Sequence, residues 1–271
     1  MCNSTEQENL IKQFYKNIDR ESIYAIVSNA SSHTFINLLN NFIQKWNLKE
    51  KKCLEIGSNK GIFQDIIEDY TGVDIAEQLS KHYHKKYFTV SGAELPFSDE
   101  SFNAIFTYTT HEHIPDIEFA LQEIIRVLKP GGVCLFAPAW HTRPWFAQGY
   151  QVRPYSELTF KEKIIKISIP TRDFFLIRWP FIFIRRLSRL FQYLFHRKNP
   201  FPLKYKKLKA NYEKYWQSDS DACNSLDPFD VILWFRSRGI ICHGYESFLN
   251  ILLVRTYALE LQKPRNSSNK I

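Results

Sequence analysis

The chain has 271 residues, 44% of them hydrophobic and 24% charged, which suits one α/β domain of about 250 residues or a domain of about 150 carrying an insertion. That balance excludes fibrous, wholly disordered and miniature disulfide-held classes. The net charge of +8 is unevenly spread: between Thr171 and Tyr215 twelve Lys and Arg stand against two acids, Asp173 and Glu213, while the rest of the chain is close to neutral.

The N-terminal stretch MCNSTEQEN is polar, with neither a basic n-region nor an apolar h-region, and reads as no secretory signal. Residues 6–47 carry two helical patterns, from Leu10 to Ile18 and from Phe35 to Trp46, with apolar residues three and four apart. From Lys51 short apolar runs alternate with helical stretches: CLEI, GIFQDIIEDY, GVDI, AEQLSKHYHK, KYFTV, NAIFTY, IEFALQEIIRVL, VCLFAP. Strand and helix in alternation predict a doubly wound, mostly parallel sheet. KPGG at 129–132 is expected to end the longest helix and turn the chain into the next strand. After a segment of other character, Pro228 to Arg238 reads as a helix, and IICHGYE and LNILLVRTYAL read as the strands that complete the sheet. The apolar runs FFLI (174–177) and FIFI (181–184) are interrupted by Arg or Pro and fall well short of the ~20 residues of a spanning helix. Five cysteines, none in a CxxC pair, predict neither a zinc site nor a disulfide framework, and point to a reducing, cytoplasmic setting without a metal centre.

Ligands of an open α/β sheet gather at the carboxyl ends of its strands. The first run ends Glu55-Ile56-Gly57-Ser58-Asn59-Lys60-Gly61, where the glycines permit close backbone approach and Asn59 tolerates positive φ. The second ends in Asp74, 17 residues after Gly57, a spacing at which a carboxylate can take both hydroxyls of a ribose. The loop lacks the GxGxxG arrangement that seats a pyrophosphate, and Glu55 offers negative charge for an amino group, so an adenosine-containing sulfonium donor is preferred over a dinucleotide.

LEIGSNKG, GVDI, SGAELPFSDESFNAIFT and HEHIPDIEFALQEIIRVLKPGGVCLFAP together resemble the successive motifs of class I S-adenosylmethionine-dependent methyltransferases, nearest the small-molecule type 11 group, across residues 52–139. The resemblance implies a Rossmann-like, seven-stranded, mostly parallel sheet with an antiparallel C-terminal hairpin, N-terminal helices and a helical insertion before that hairpin. A single domain over 1–262 then comprises N-terminal helices (1–50), a cofactor-binding core (51–139), a basic aromatic insertion (140–226) and a C-terminal helix and hairpin (227–262), ahead of a flexible tail (263–271). It also implies S-adenosyl-L-methionine as cofactor, with Glu55, Gly57, Ser58, Asn59 and Gly61 around the methionine part, Asp74 at the ribose, and Ile75, Gly92, Ala93 and Glu94 at the adenine. Two positions depart from the family pattern. Asn59 replaces the middle glycine, and Ser91-Gly92-Ala93 replaces the acid before LPF, leaving a backbone carbonyl or Glu94 to hold the adenine amino group.

Methyl transfer from a sulfonium is an in-line displacement in which positioning supplies much of the acceleration, and a base is needed only for a protonated nucleophile. His111, His113 and His141 follow the fourth and fifth strand patterns and are the candidates for it. TYTT stands where amino-methylating nucleic-acid enzymes carry an (Asn or Asp)-Pro-Pro-aromatic tetrapeptide, which disfavours nucleic acid as partner. In the insertion, Ile184, Leu187, Leu190, Phe191, Leu194 and Phe195 recur at helical spacing, with Arg185, Arg186 and Arg189 among the intervening residues. Four readings stay open for it: a helix packed on the sheet with a solvated basic edge, peripheral contact of 181–197 with an anionic membrane at its inner face, a single-stranded nucleic-acid surface, or counter-charge for a phosphorylated or lipid-linked substrate. WHTRPWFAQGYQVRPYS and SDSDACNSLDPFD resemble stretches of methyltransferases associated with bacterial surface-glycan assembly. The combined expectation is O-methylation of a small or lipid-linked acceptor such as a glycan precursor, against a catalytically silent donor-binding protein or an RNA methyltransferase.

Overall fold

The computed structural model describes residues 4–17, 34–196, 200–212 and 219–265. Two compact units are present, one of residues 1–138 and 257–271, the other of residues 139–256.

In the first unit, the strands β1 (Cys53–Ile56), β2 (Tyr70–Asp74), β3 (Lys86–Thr89), β4 (Phe102–Tyr108) and β5 (Leu128–Ala137) pair in parallel. β7 (Leu259–Gln262) follows β5 in this unit and runs antiparallel to it; the seven-strand order of the sheet is β3-β2-β1-β4-β5-β7-β6, the two-residue β6 (Ile241–Cys242) belonging by sequence to residues 139–256. This is the Rossmann-like arrangement expected. The order reverses between β1 and β4, whose register pairs Cys53 with Ala104 and Ile56 with Thr107, so the crevice of an open sheet lies past Ile56. Alternation does the packing: Cys53, Ala104, Phe106, Val133 and Leu135 share one apolar cluster with Phe35, Leu39 and Phe42. The last two belong to α2 (Ile36–Trp46), which follows α1 (Ser4–Asn17) in the described chain. Ile18, expected in the first helix, lies outside the described residues. α3 (Ile117–Val127) buries Ile117, Ala120, Leu121 and Ile124, the stripe its sequence period requires.

Four local expectations are corrected. GIFQDIIEDY is no helix: Gln64 N–H bonds the Gly61 carbonyl (3.0 Å) and Ile66 N–H that of Phe63 (3.1 Å), three-residue turns. Long-range contacts compete with helical bonding there, because the Gln64 amide donates to His82 O (3.0 Å) and Lys85 Nζ takes the Ile67 carbonyl (2.6 Å). AEQLSKHYHK yields only a short 3-10 helix, Glu77–His82. KPGG joins β5 rather than a turn, since Gly131 N–H and Gly132 O both pair with Lys263 (2.8 and 3.0 Å). The start of LNILLVRTYAL is helical over Phe248–Leu252, capped by the Ser247 hydroxyl on Asn250 N–H (3.1 Å), and its strand begins only at Leu259.

The second unit is mainly helical, with α4 (Phe160–Asp173), α5 (Phe175–Leu194) and α6 (Pro228–Arg236). α4 opens with a capping box between Thr159 and Glu162. α6 has Asp227 as N-cap and Pro228 in its first turn, and its apolar residues from Phe229 to Phe235 are all buried. The polarity of α5 is the reverse of that expected for a helix packed by its apolar face. Arg186, 2% exposed, and Arg189 turn inward, while Phe181, Ile184 and Phe191 face solvent. Arg185 and Arg186 pair with Asp227, and Arg185 and Arg189 with Asp230. Arg186 also donates to Leu252 O and Val254 O (3.0 and 2.9 Å). The guanidinium hydrogen bonds are thus satisfied inside the unit, which is what makes their burial tolerable.

Candidate active site

The loop after β1 holds three residues at positive φ, Gly57 (74°), Asn59 (45°) and Gly61 (65°), which gives the glycines and the asparagine a backbone reason. Space adds a second one: a Cβ on Gly57 would lie 2.0 Å from Thr110 Oγ1, and one on Gly61 would lie 2.6 Å from the Tyr83 ring. The loop is tied to β2. Gly57 and Ser58 N–H groups donate to Val73 O (2.9 and 3.0 Å), and the carboxylate of Asp74 accepts from Asn59 N–H (2.9 Å) and Ala76 N–H (3.0 Å). The predicted ribose acid and the predicted methionine loop are therefore in direct contact.

Behind this loop the Glu55 carboxyl is buried and takes the Tyr70 hydroxyl. Burial pushes it up to about 8, against the pull of the Tyr70 hydrogen bond and with a further push from the Asp74 charge. Among the described residues Glu55 makes no ion pair, so a cation is the missing complement to its charge. Tyr83 donates its hydroxyl toward Ser58 O (3.0 Å), Ser58 Oγ (2.7 Å) and Asn59 O (2.8 Å), clasping the loop from the other side.

The remaining predicted cofactor residues lie in the same unit. Ile75 is half-buried directly after β2, and Val90 N–H on Asp74 O (3.0 Å) starts the turn to Gly92, Ala93 and Glu94. Gly92 is buried where a Cβ would strike Ile114 and Ile56 (2.8 and 2.9 Å), beside the β1 end, whereas Glu94 is exposed. Glu123 and Arg126 of α3 pin the following turn, accepting Leu95 N–H (2.7 Å) and donating to Phe97 O (2.6 Å).

Of the histidines, His111 and His113 belong to the first unit and His141 to the second. His111 is fully buried, with Nδ1 3.1 Å from Thr107 Oγ1 and Nε2 without a partner among the described residues. Burial lowers it to about 3. His113 N–H bonds Thr110 O (2.9 Å), and its Nε2 is 3.6 Å from Glu112 Oε1. His141, at φ 58°, is lowered to about 4, first by burial and then by Arg178, Arg186 and Arg185, against the opposing pull of Asp227. All three candidates exist, and two are held neutral.

Sequence reasoning missed Tyr70, Tyr83 and Thr110. Tyr70 opens β2 in register with Cys53, and Thr110 ends the TYTT segment, two residues past the end of β4. The register of β1, β2 and β4 brings Tyr70 and Thr110 to the loop, and the end of the 3-10 helix brings Tyr83.

A strand-order reversal, a glycine loop with a buried carboxylate behind it, and an aspartate at the tip of the next strand form the kind of crevice in which an open α/β sheet holds its ligand. The donor set fits S-adenosylmethionine, because Glu55 lacks a cationic partner and Asp74 stands beside the loop. A family model described as a methyltransferase domain matches residues 54–136. That region is a class I methyltransferase domain of the kind that uses S-adenosylmethionine as methyl donor. The chain is 37% identical over 91 residues to demethylmenaquinone methyltransferase of Staphylococcus carnosus, a match spanning 30% of this chain and 37% of the relative. It is 32% identical over 98 residues to squalene methyltransferase 1 of Botryococcus braunii, spanning 30% of this chain and 26% of the relative. The chain thus spans 26–37% of the length of these curated relatives. Among solved structures, the YcgJ protein of Bacillus subtilis is similar at 22% identity, covering 49% of this chain and 66% of that one, with a TM-score of 0.37.

Proposed function

We propose that the protein transfers a methyl group from S-adenosylmethionine to a hydroxyl of a small or lipid-linked acceptor, such as a glycan precursor, at the cytoplasmic face of a membrane. One observation carries the reading: a buried, cation-lacking Glu55 behind a loop bonded to Asp74. Support for a lipophilic acceptor comes from relatives named for demethylmenaquinone and squalene.

When bound, the donor would supply an electrophilic methyl on sulfur. Glu55 would balance the charge of its amino group, Asp74 would accept from its ribose hydroxyls, the loop 57–61 would shape the methionine side, and Ile75 with residues 92–94 would flank the adenine. Methyl transfer to an acceptor hydroxyl would release a proton, which an imidazole or water would take. His111 and His113, in the same unit as the loop, are the proposed proton acceptors. A conjugate acid as strong as that of buried His111 transfers its proton onward readily, but the imidazole is a weak base, so positioning carries most of the rate.

The test is a methyl-transfer assay on extracts of lipid-linked sugars and quinones. Production of S-adenosylhomocysteine that depends on an extract fraction is expected. Donor binding with no turnover on any fraction would replace this reading by the silent binder.

A further inference from the structure

The helices α4 and α5 show solvent a face that soluble proteins ordinarily hide. On α4 it consists of Phe160, Ile164 and Ile167, spaced four and three apart, with Phe160 81% exposed. On α5 it consists of Ile177, Phe181, Ile184 and Phe191, again at helical spacing, with Phe181 72% exposed. Exposed Phe174 joins the two stripes, and exposed Phe195 follows the second. Twelve large hydrophobic side chains are exposed between residues 160 and 195 among those described. Scattered singly they would need no account, but an apolar stripe kept along two successive helices marks an interaction surface.

We infer that this ridge lies in the interfacial layer of an anionic phospholipid bilayer. Charge selects that occupant. Residues 139–256 contain twenty Lys and Arg against nine Asp and Glu, and Lys161, Arg172, Lys204, Lys206, Lys207 and Lys209 are exposed. A second copy would bring two strongly cationic bodies together, whereas an anionic lipid surface attracts one. The inward turn of Arg186 and Arg189 matters as well: these arginines pair with Asp227 and Asp230 and fix α5 so that Phe181 and Phe191 point outward. The lipid-facing residues are therefore the apolar ones, with lysines outside α5 supplying the headgroup contacts. No helix among the described residues is long and apolar enough to cross a membrane, and a ridge one side chain deep lies in the plane of the interface. The inference goes beyond methyl transfer and does not depend on it.

The full chain is sedimented with vesicles of phosphatidylglycerol and phosphatidylethanolamine, and separately with phosphatidylcholine vesicles. It is expected to pellet with the first far more than with the second. A Phe181→Ser, Ile184→Ser, Phe191→Ser variant with an unchanged circular dichroism spectrum is expected to lose about tenfold or more in partitioning. A Lys204→Glu, Lys206→Glu, Lys207→Glu variant is expected to bind anionic vesicles no better than neutral ones. Failure of the unmodified chain to pellet with phosphatidylglycerol overturns the inference. So does full retention by the serine variant, or a dimer in sedimentation velocity that the serine substitutions abolish, which would assign the ridge to a second copy.

Discussion

Two buried carboxylates, Glu55 of the first unit and Asp227 of the second, are treated oppositely. In the first, Glu55 has a tyrosine hydroxyl and a neighbouring acid but no ion pair among the described residues, and burial drives it up to about 8. In the second, burial likewise pushes Asp227 up, but Arg186, His141 and Arg185 outweigh it and hold the group below the usual carboxylate range. The same desolvation thus gives a group awaiting a cation in one place and a scaffold already neutralised in the other. A buried acid is informative through what is missing beside it.

Three substitutions break or sharpen that contrast. The largest effect belongs to Asp227→Ala, which strands the buried Arg186 guanidinium and uncaps α6; a loss of about 3–5 kcal/mol is expected in urea denaturation. A loss below ~1 kcal/mol would mean that the network is no scaffold. Next comes Glu55→Gln. Below about 8 the Glu55 carboxyl holds a proton, and a cationic donor binds the ionised form, so donor affinity should rise with pH by up to about tenfold per unit and level off above that value. The glutamine variant should bind weakly with a flatter profile in calorimetry; equal slopes would remove Glu55 from the site. The same group gives stability the opposite slope. Because the folded form holds the proton between 4.5 and about 8, Glu55 lowers stability as pH climbs through that window. The smallest effect is that of Asp74→Ala, for which calorimetry should show donor binding weakened by at least ~1 kcal/mol through lost hydrogen bonds to a charged acceptor. Unchanged affinity would place the ribose elsewhere.

The legible part of the site was local. Positive φ at Gly57, Asn59 and Gly61 follows from residue type, and Asp74 from its spacing, and the structure brings all four together. Tyr70 and Tyr83 were not legible, because Tyr70 reaches Glu55 only once β1 and β2 are in register, and Tyr83 reaches Ser58 only once the 3-10 helix after β2 folds back on the loop. The α5 sequence revealed two faces but not which one turns inward. That choice is made by Asp227 and Asp230, some forty residues downstream, and no periodicity within the helix contains it. The segment after Gly61 misled for a related reason: its apolar spacing is helical, yet Gln64 and Ile67 are claimed by residues 82–85.

Phe136 pairs with Leu259, so the strand that follows β5 in the sheet is β7, although the two are far apart in the chain. An excursion of roughly 120 residues is thereby spliced between two neighbouring strands, and its ends sit one strand spacing of about 4.8 Å apart. The entropic toll of closing such a detour grows only logarithmically, about 0.6 kcal/mol for each doubling of its contour. Evolution, or an engineer, can therefore lengthen or trim the loops of the intervening module at little thermodynamic expense, provided the short β6 strand within it is kept.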